Sequence, residues 1–366
     1  MEKLSLQWGY MALPCLTIGG LGYVLIDSLD YDPSKPVTTL SELHAVLETF
    51  NFEESRLNEW QAPILAGLGY LGLIFFLQWL VGRAVARSVR VESMRGQAFD
   101  SPPPPPYTHR RHGVSKVSAN YEAICSVQCW HNLWLCAWSL VMCVGCSWSC
   151  WERYKAEGNW EWVFCETPSD EPASGALYFW AFMYYLSKYY ELIDTYLQVL
   201  KSGTVHSPWL HLYHHSVVGV MAWLWLEQRQ SLMFAGLIFN TFVHVPMYLY
   251  YGQTSMLAGA AAKTARAKGL KEPPKYRKPW WGKYITLLQI VQFVSSLVLL
   301  SVTLFGYVFA SAGANAQEQQ CSGLEALAFN TIFNVTLLGQ FVDLYGKKTG
   351  GKKEKTKKQK QKKKGD

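Results

Sequence analysis

The chain has 366 residues, half of them hydrophobic and 15% aromatic, with a formal net charge of +7 and a mean hydropathy of +0.00. That balance suits a polytopic membrane protein with its charge gathered into loops and a tail better than a soluble domain. The positive excess comes from lysines recurring between Lys347 and Lys364, and without them the protein is nearly neutral, so no nucleic-acid partner is expected.

A spanning helix needs about 20 mainly apolar residues. Stretches that qualify are 8–26, 60–80, 124–146, 177–200, 209–226, 232–251, 284–309 and 324–344. The first is the weakest, because it holds Pro14 and several glycines. Read as a signal sequence it has little positive charge at its Met-Glu-Lys start. The chain therefore divides into an N-terminal extension with room for an extra helix (1–59), a membrane domain (60–345) and a lysine-rich tail (346–366), whose plainest reading is a solvated, disordered run.

Basic residues set the orientation. Residues 82–117 and 252–283 are rich in Lys and Arg and belong on the cytoplasmic side, together with the 201–208 link and the tail. The acidic stretch 151–172 and the segment 317–322 belong on the other. The run of five prolines at 102–106 reads as a polyproline II spacer before it reads as a ligand for a partner domain. Of nine cysteines, only Cys143 and Cys146 have CxxC spacing, with no second pair to complete a zinc site.

Four of the predicted helices carry polar residues at one depth. These are Lys188, Glu191, Asp194 and Thr195; His211, His214 and His215; Asn240, His244, Met247, Tyr248 and Tyr251; and Thr286, Gln289 and Gln292. The i, i+3 and i+4 spacings place each set on one helix face. Each has a plainer reading: a packing histidine, a neutralised Lys188–Glu191 pair, glutamines bonding neighbouring helices. Buried together in apolar segments they predict a polar chamber with a function. The HxxHH spacing also occurs in di-iron desaturases and hydroxylases, but there is no second HxxHH box. His131 stands alone in an earlier helix, and His109 and His112 lie in an Arg-rich loop, so no metal is expected. A neutral imidazole can act as nucleophile or base near neutral pH, which suits acyl transfer.

These four motifs, in this order and spacing, resemble the signatures of the ELO family of very-long-chain fatty acid elongases, over roughly residue 60 to the C-terminus. The resemblance implies an all-α, polytopic fold with seven core transmembrane helices, six of them forming a barrel around an acyl tunnel. It implies a 3-oxoacyl-CoA synthase of the endoplasmic reticulum membrane with a cytoplasmic C-terminus, which condenses acyl-CoA with malonyl-CoA and releases CoA and CO2 without a further cofactor. His214 and His244 would carry the chemistry. Asn240, Tyr248, Gln289 and Gln292 are candidate oxyanion donors, and Lys188, Lys275, Arg277 and Lys283 candidate partners for carboxylate or phosphate. Glu191, Asp194, His211, His215 and Tyr251 complete the expected substrate-binding set.

The resemblance also supports a disulfide between Cys165 and Cys321, with Cys146 and Cys150 as competing partners. Lys363 and Lys364 resemble a dilysine retrieval signal. Leu212 in the box leans toward polyunsaturated chains, as Leu or Val does in family members acting on them, whereas His206 stands where those members tend to have Gln. Chain length is expected to depend on bulky residues such as Trp180, Trp223 or Phe234. Membrane lipid and other elongation enzymes are the expected partners, with homo-oligomerisation left open. A proton-coupled transporter is the rival class, but no internal repeat supports it.

Overall fold

The computed structural model describes residues 2–30, 32, 34, 37–96, 115–309 and 321–362, with side chains described outside 2–10, 84–96 and 348–362. The elements are α1 (Glu2–Asp27), α2 (Leu40–Leu47), α3 (Gln61–Gly96), α4 (Ala119–Glu157), α5 (Glu161–Phe164), α6 (Ala176–Ser202), α7 (Pro208–Glu227), α8 (Met233–Ala267), α9 (Gly282–Thr303) and α10 (Leu324–Lys362). A π-helical turn, Leu304–Val308, continues α9. The run of prolines and the paired Lys363 and Lys364 lie outside the described residues.

The protein is an all-α, polytopic membrane protein. Among the described residues five segments are long and apolar enough to cross a bilayer: Gln61–Arg83, Ala119–Glu157, Met233–Ala267, Gly282–Val308 and Leu324–Lys347. The helices α6 and α7, of 27 and 20 residues, have the length of a span. They miss the apolarity because they carry the lysine, the carboxylates and the three histidines of the expected chamber. Six helices pack in a closed cycle, α4 on α8, α8 on α9, α9 on α10, α10 on α7, α7 on α6 and α6 back on α4. Outside this ring α3 lies against α6 and α7, and α1 against α4 and α6.

Several helices outrun their predicted spans. The apolar windows of α4 and α8 end where charge begins, but their polar continuations pack on each other: Arg266 donates to Glu122 at 2.7 Å beside a cluster of Tyr121, Cys125, Ala258 and Ala262. The tail expectation also changes, since α10 runs through the predicted boundary at 346 as far as Lys362. Lys, Gln and Glu are good helix formers, and the helix carries Gly346, Gly350 and Gly351 within it.

The N-terminal extension is bound into the molecule. Thr39 and Glu42 form a capping box that starts α2. The fully buried Phe50 packs on Phe182 at 5.2 Å, and the Phe52 amide donates to the Ala173 carbonyl at 3.0 Å. Tyr185 and Trp223 donate to the carbonyls of Leu57 and Asn58 at 3.1 and 2.5 Å.

At the same end of the ring Cys165 and Cys321 form a disulfide across 156 residues of chain, whereas Cys146 and Cys150 are free and buried. Around it the Ser322 amide donates to Glu166 O and the Ser231 amide to Ser322 O. Arg153 grips both Glu166 carboxylate oxygens at 2.6 and 2.8 Å. Gly323 turns the chain into α10 at φ +68°, and a Cβ there would stand 2.5 Å from Gln230 Cα. At the opposite end of the ring lie the 203–207 and 268–281 connections.

Candidate active site

The chain enters α7 through Ser207 in a left-handed conformation and Pro208 at the first helical position, where its missing N–H costs nothing. His211, His214 and His215 follow within two turns and pack ring against ring, His211 tilted on His215 and His214 edge-to-face with it. Ring centroids are 4.6 Å apart for His211 and His215 and 5.2 Å for His214 and His215. His214 also lies face-on to Phe333 of α10 at 5.8 Å.

From α6, the Lys188 ammonium donates to Glu191 Oε1 at 2.7 Å, with both side chains buried to about 2–3% exposure. A buried charge pair of this kind costs desolvation that only further contacts offset. Ser187 Oγ donates to the same carboxylate oxygen at 3.2 Å, and Lys188 sits over the Tyr184 ring at 4.0 Å. His244 of α8 brings Nδ1 to 4.0 Å from that oxygen, with Tyr248 edge-on to its ring at 5.3 Å. His214 and His244 lie within electrostatic reach of each other and of Lys188. Two residues beyond His244, Pro246 leaves the carbonyl of Phe242 without its helical donor.

Asp194 anchors a second network. It accepts from His131 Nε2 at 2.9 Å and from the Tyr248 hydroxyl at 3.3 Å, and next to it the hydroxyls of Thr195 and Tyr70 bond at 2.9 Å. The reading of His131 as a lone histidine is thereby corrected. Its partner sits 63 residues away on a neighbouring helix, and spacing within α4 carries no trace of it.

Beside these networks a cavity opens between α7, α8, α9 and α10. His214, Asn240, Gln292 and Tyr184 line it at the histidine level; Trp225, Leu232, Gly236 and Leu327 close it toward the disulfide end. Tyr184 spans both levels, donating to Asn240 Oδ1 at 3.1 Å and stacking on Trp225 at 5.3 Å. The bulky residues expected to end a tunnel are not among its lining. Trp180 donates to Ser149, Trp223 to Asn58 and Phe234 packs on Tyr178. Helix direction alone could not tell which aromatic of a face turns inward.

Of the sequence-predicted residues, the structure gathers Lys188, Glu191, Asp194, His211, His214, His215, Asn240, His244, Tyr248 and Gln292 into these adjoining networks and the cavity. Gln289 turns instead to Met247 Sδ at 3.4 Å, and Tyr251 is 43% exposed at the rim. Lys275, Arg277 and Lys283 are exposed before and at the start of α9, apart from the buried cluster. Residues not predicted are His131, Tyr184, Asn330 and Asn334; the last two were visible as an i, i+4 amide pair in an otherwise apolar segment. Among the described residues no three His, Cys, Asp or Glu side chains gather as a metal-binding group.

The model of the GNS1/SUR4 (ELO) family matches residues 56–361. Fatty acid elongase A of Dictyostelium discoideum is 32% identical over 229 residues, 61% of this chain and 73% of that protein. Fatty acid elongase sre1 of the same organism is 32% identical over 214 residues, 58% and 69% of the two chains. Very long chain fatty acid elongase 2 of Rattus norvegicus is 35% identical over 117 residues, 31% and 36%. A further Dictyostelium relative, 40% identical over 164 residues, is spanned over about half of its length, 48%.

Proposed function

We propose, for a chain that belongs to the ELO (GNS1/SUR4) family and is therefore an enzyme of fatty acid elongation, the condensing reaction: acyl-CoA and malonyl-CoA give 3-oxoacyl-CoA, CoA and CO2. The observation that carries this reading is the cavity in which His214, Asn240 and Gln292 meet and whose far end is apolar. A thioester carbonyl at the histidine level leaves its alkyl chain in the apolar part, where burial stabilises it by about 0.8 kcal/mol per methylene.

The step is metal-free covalent transfer. A His214 ring nitrogen attacks the thioester carbon, the C–S bond breaks, and the CoA thiolate takes up the imidazolium proton. Asn240 and Gln292 are the side-chain amides placed to donate to the oxyanion that forms on the way. Malonyl-CoA then loses CO2, its enolate attacks the acyl carbon, the C–N bond breaks, and the departing ring nitrogen takes up one proton from water to restore the neutral imidazole. His244, held beside the Lys188–Glu191 pair, is assigned to the malonyl half-reaction, where decarboxylation develops negative charge. Lys275, Arg277 and Lys283 are assigned to the CoA phosphates at the mouth.

The disulfide end faces the lumen, an oxidising compartment, and the tail faces the cytoplasm. The multi-pass protein is assigned to the endoplasmic reticulum, held there by Lys363 and Lys364; a Lys363→Ser/Lys364→Ser variant is expected to leave it, as read by microscopy. Leu212 assigns polyunsaturated chains as substrates.

The reaction is tested with purified protein and both thioesters. Stoichiometric release of CoA and CO2 with formation of 3-oxoacyl-CoA is expected. Proton flux in liposomes without turnover would contradict it and favour a transporter.

A further inference from the structure

We propose that Asn330 of α10 is a specificity-determining residue whose side-chain oxygen reads a hydrogen-bond donor, a hydroxyl, in the first stretch of the acyl chain beyond its carbonyl. The proposal rests on the condensation reading above.

Both asparagines line the cavity that His214 opens on. They stand four residues apart on one face of a segment that is otherwise mostly apolar, and that face points inward rather than to lipid. An amide inside a spanning helix is ordinarily satisfied by a neighbouring helix. Asn330 is not: its Oδ1 is sealed from solvent and has no hydrogen-bond partner among the described residues. The three hydroxyls in the same lining already donate elsewhere, Ser296 to the Gln292 carbonyl at 3.1 Å, Thr331 to the Leu327 carbonyl at 2.7 Å and Tyr184 to Asn240 Oδ1 at 3.1 Å. Among the described lining side chains, Asn330 is the one with a buried oxygen left without a donor.

Position then says what meets it. Phe333 stacks on His214, and Asn330 lies three residues toward the disulfide end, about 4.5 Å along the helix axis. A chain whose carbonyl carbon is at His214 and whose tail runs toward the disulfide end therefore passes Asn330 within its first several carbons, whereas Asn334, one residue the other way from Phe333, stays at the level of the carbonyl. Methylenes there leave the Asn330 oxygen desolvated and unpaired, which is unfavourable. A double bond has no hydrogen to donate to that oxygen, whereas a hydroxyl has. The wall thus discriminates against a proximal segment without a hydroxyl, in the way a site built to pair a polar group rejects the analogue that lacks it.

The test is competition between three acyl-CoAs of equal length, saturated, cis-unsaturated or hydroxylated a few carbons from the carbonyl, with malonyl-CoA and the full-length protein. The wild type is expected to favour the hydroxylated chain, and a preference for the saturated or the cis-unsaturated chain over it overturns the proposal. Asn330→Leu is expected to reduce the ratio of kcat/KM for the hydroxylated chain over the saturated one by about 5- to 100-fold, through loss on one arm and gain on the other. Asn330→Gln is expected to keep the preference, which separates amide chemistry from packing. A ratio that stays within two-fold in Asn330→Leu, with turnover intact, overturns the role of Asn330 and leaves the condensation reading standing. A wild type inactive on every acyl-CoA overturns both.

Discussion

Lys188 and Glu191 show what a single buried pair demands. With both side chains almost fully enclosed, removing one partner strands the other's charge. Lys188→Met is therefore expected to cost about 3–5 kcal/mol of stability, and Lys188→Met/Glu191→Leu less than that, as measured by denaturation in detergent. The double variant is expected to keep the fold and to lose turnover, since the proposed reaction assigns the pair to His244; retained turnover would contradict that assignment. His131 and Asp194 make a second case. Single changes to alanine and their combination are expected to be non-additive by about 0.5–3 kcal/mol, whereas strict additivity would show that the 2.9 Å contact is not formed in solution. Asp194 was legible in the sequence by its position between Glu191 and the histidine box. His131 was not, since a polar residue that faces a distant helix leaves no periodic signal of its own.

At the level of elements, the turn into α10 is constrained most tightly. Gly323 combines a positive φ with backbone contact on Gln230, so Gly323→Ala is expected to destabilise the disulfide end by more than the roughly 1 kcal/mol of a helix-interior Gly/Ala exchange, read as a lowered midpoint of thermal unfolding. Reducing Cys165–Cys321 acts on the same end and is expected to cost about 2–5 kcal/mol. In α2 the Glu42 carboxyl is held below the ordinary carboxylate range by donation from the Thr38 amide and hydroxyl, then the Thr39 amide. A depressed folded-state value means that its contribution is present above the ordinary carboxylate pKa near 4.5 and lost as pH falls through the folded value. Hydrogen exchange across α2, corrected for intrinsic rates, is expected to quicken selectively on that descent; a pH-independent profile would contradict the cap.

Helix ends were the least legible feature. Apolar windows mark where a helix crosses lipid, but α4, α8 and α10 continue on polar residues, and only tertiary partners such as Arg266 and Glu122 reveal why.

For the molecule as a whole, the polar faces of α6, α7, α8 and α9 were readable as one chamber because a bilayer leaves charged side chains no other place. The closed cycle of six helices supplies what periodicity could not, the order in which those faces meet. It puts α10, which carries none of the four motifs, against His214 through Phe333. The N-terminal extension lay beyond any pattern in the sequence: its hold on the ring comes from single aromatic side chains and carbonyls, Phe50 on Phe182 and Leu57 under Tyr185. One claim joins all three scales, that a His214 imidazole and an acyl carbonyl share the cavity between α7 and α10. Its most direct measurement is intact-mass and peptide analysis of the purified protein after exposure to acyl-CoA alone. The account predicts one acyl adduct on the peptide containing His214, absent in His214→Ala and discharged by malonyl-CoA; an adduct elsewhere, or condensation by His214→Ala, would contradict it.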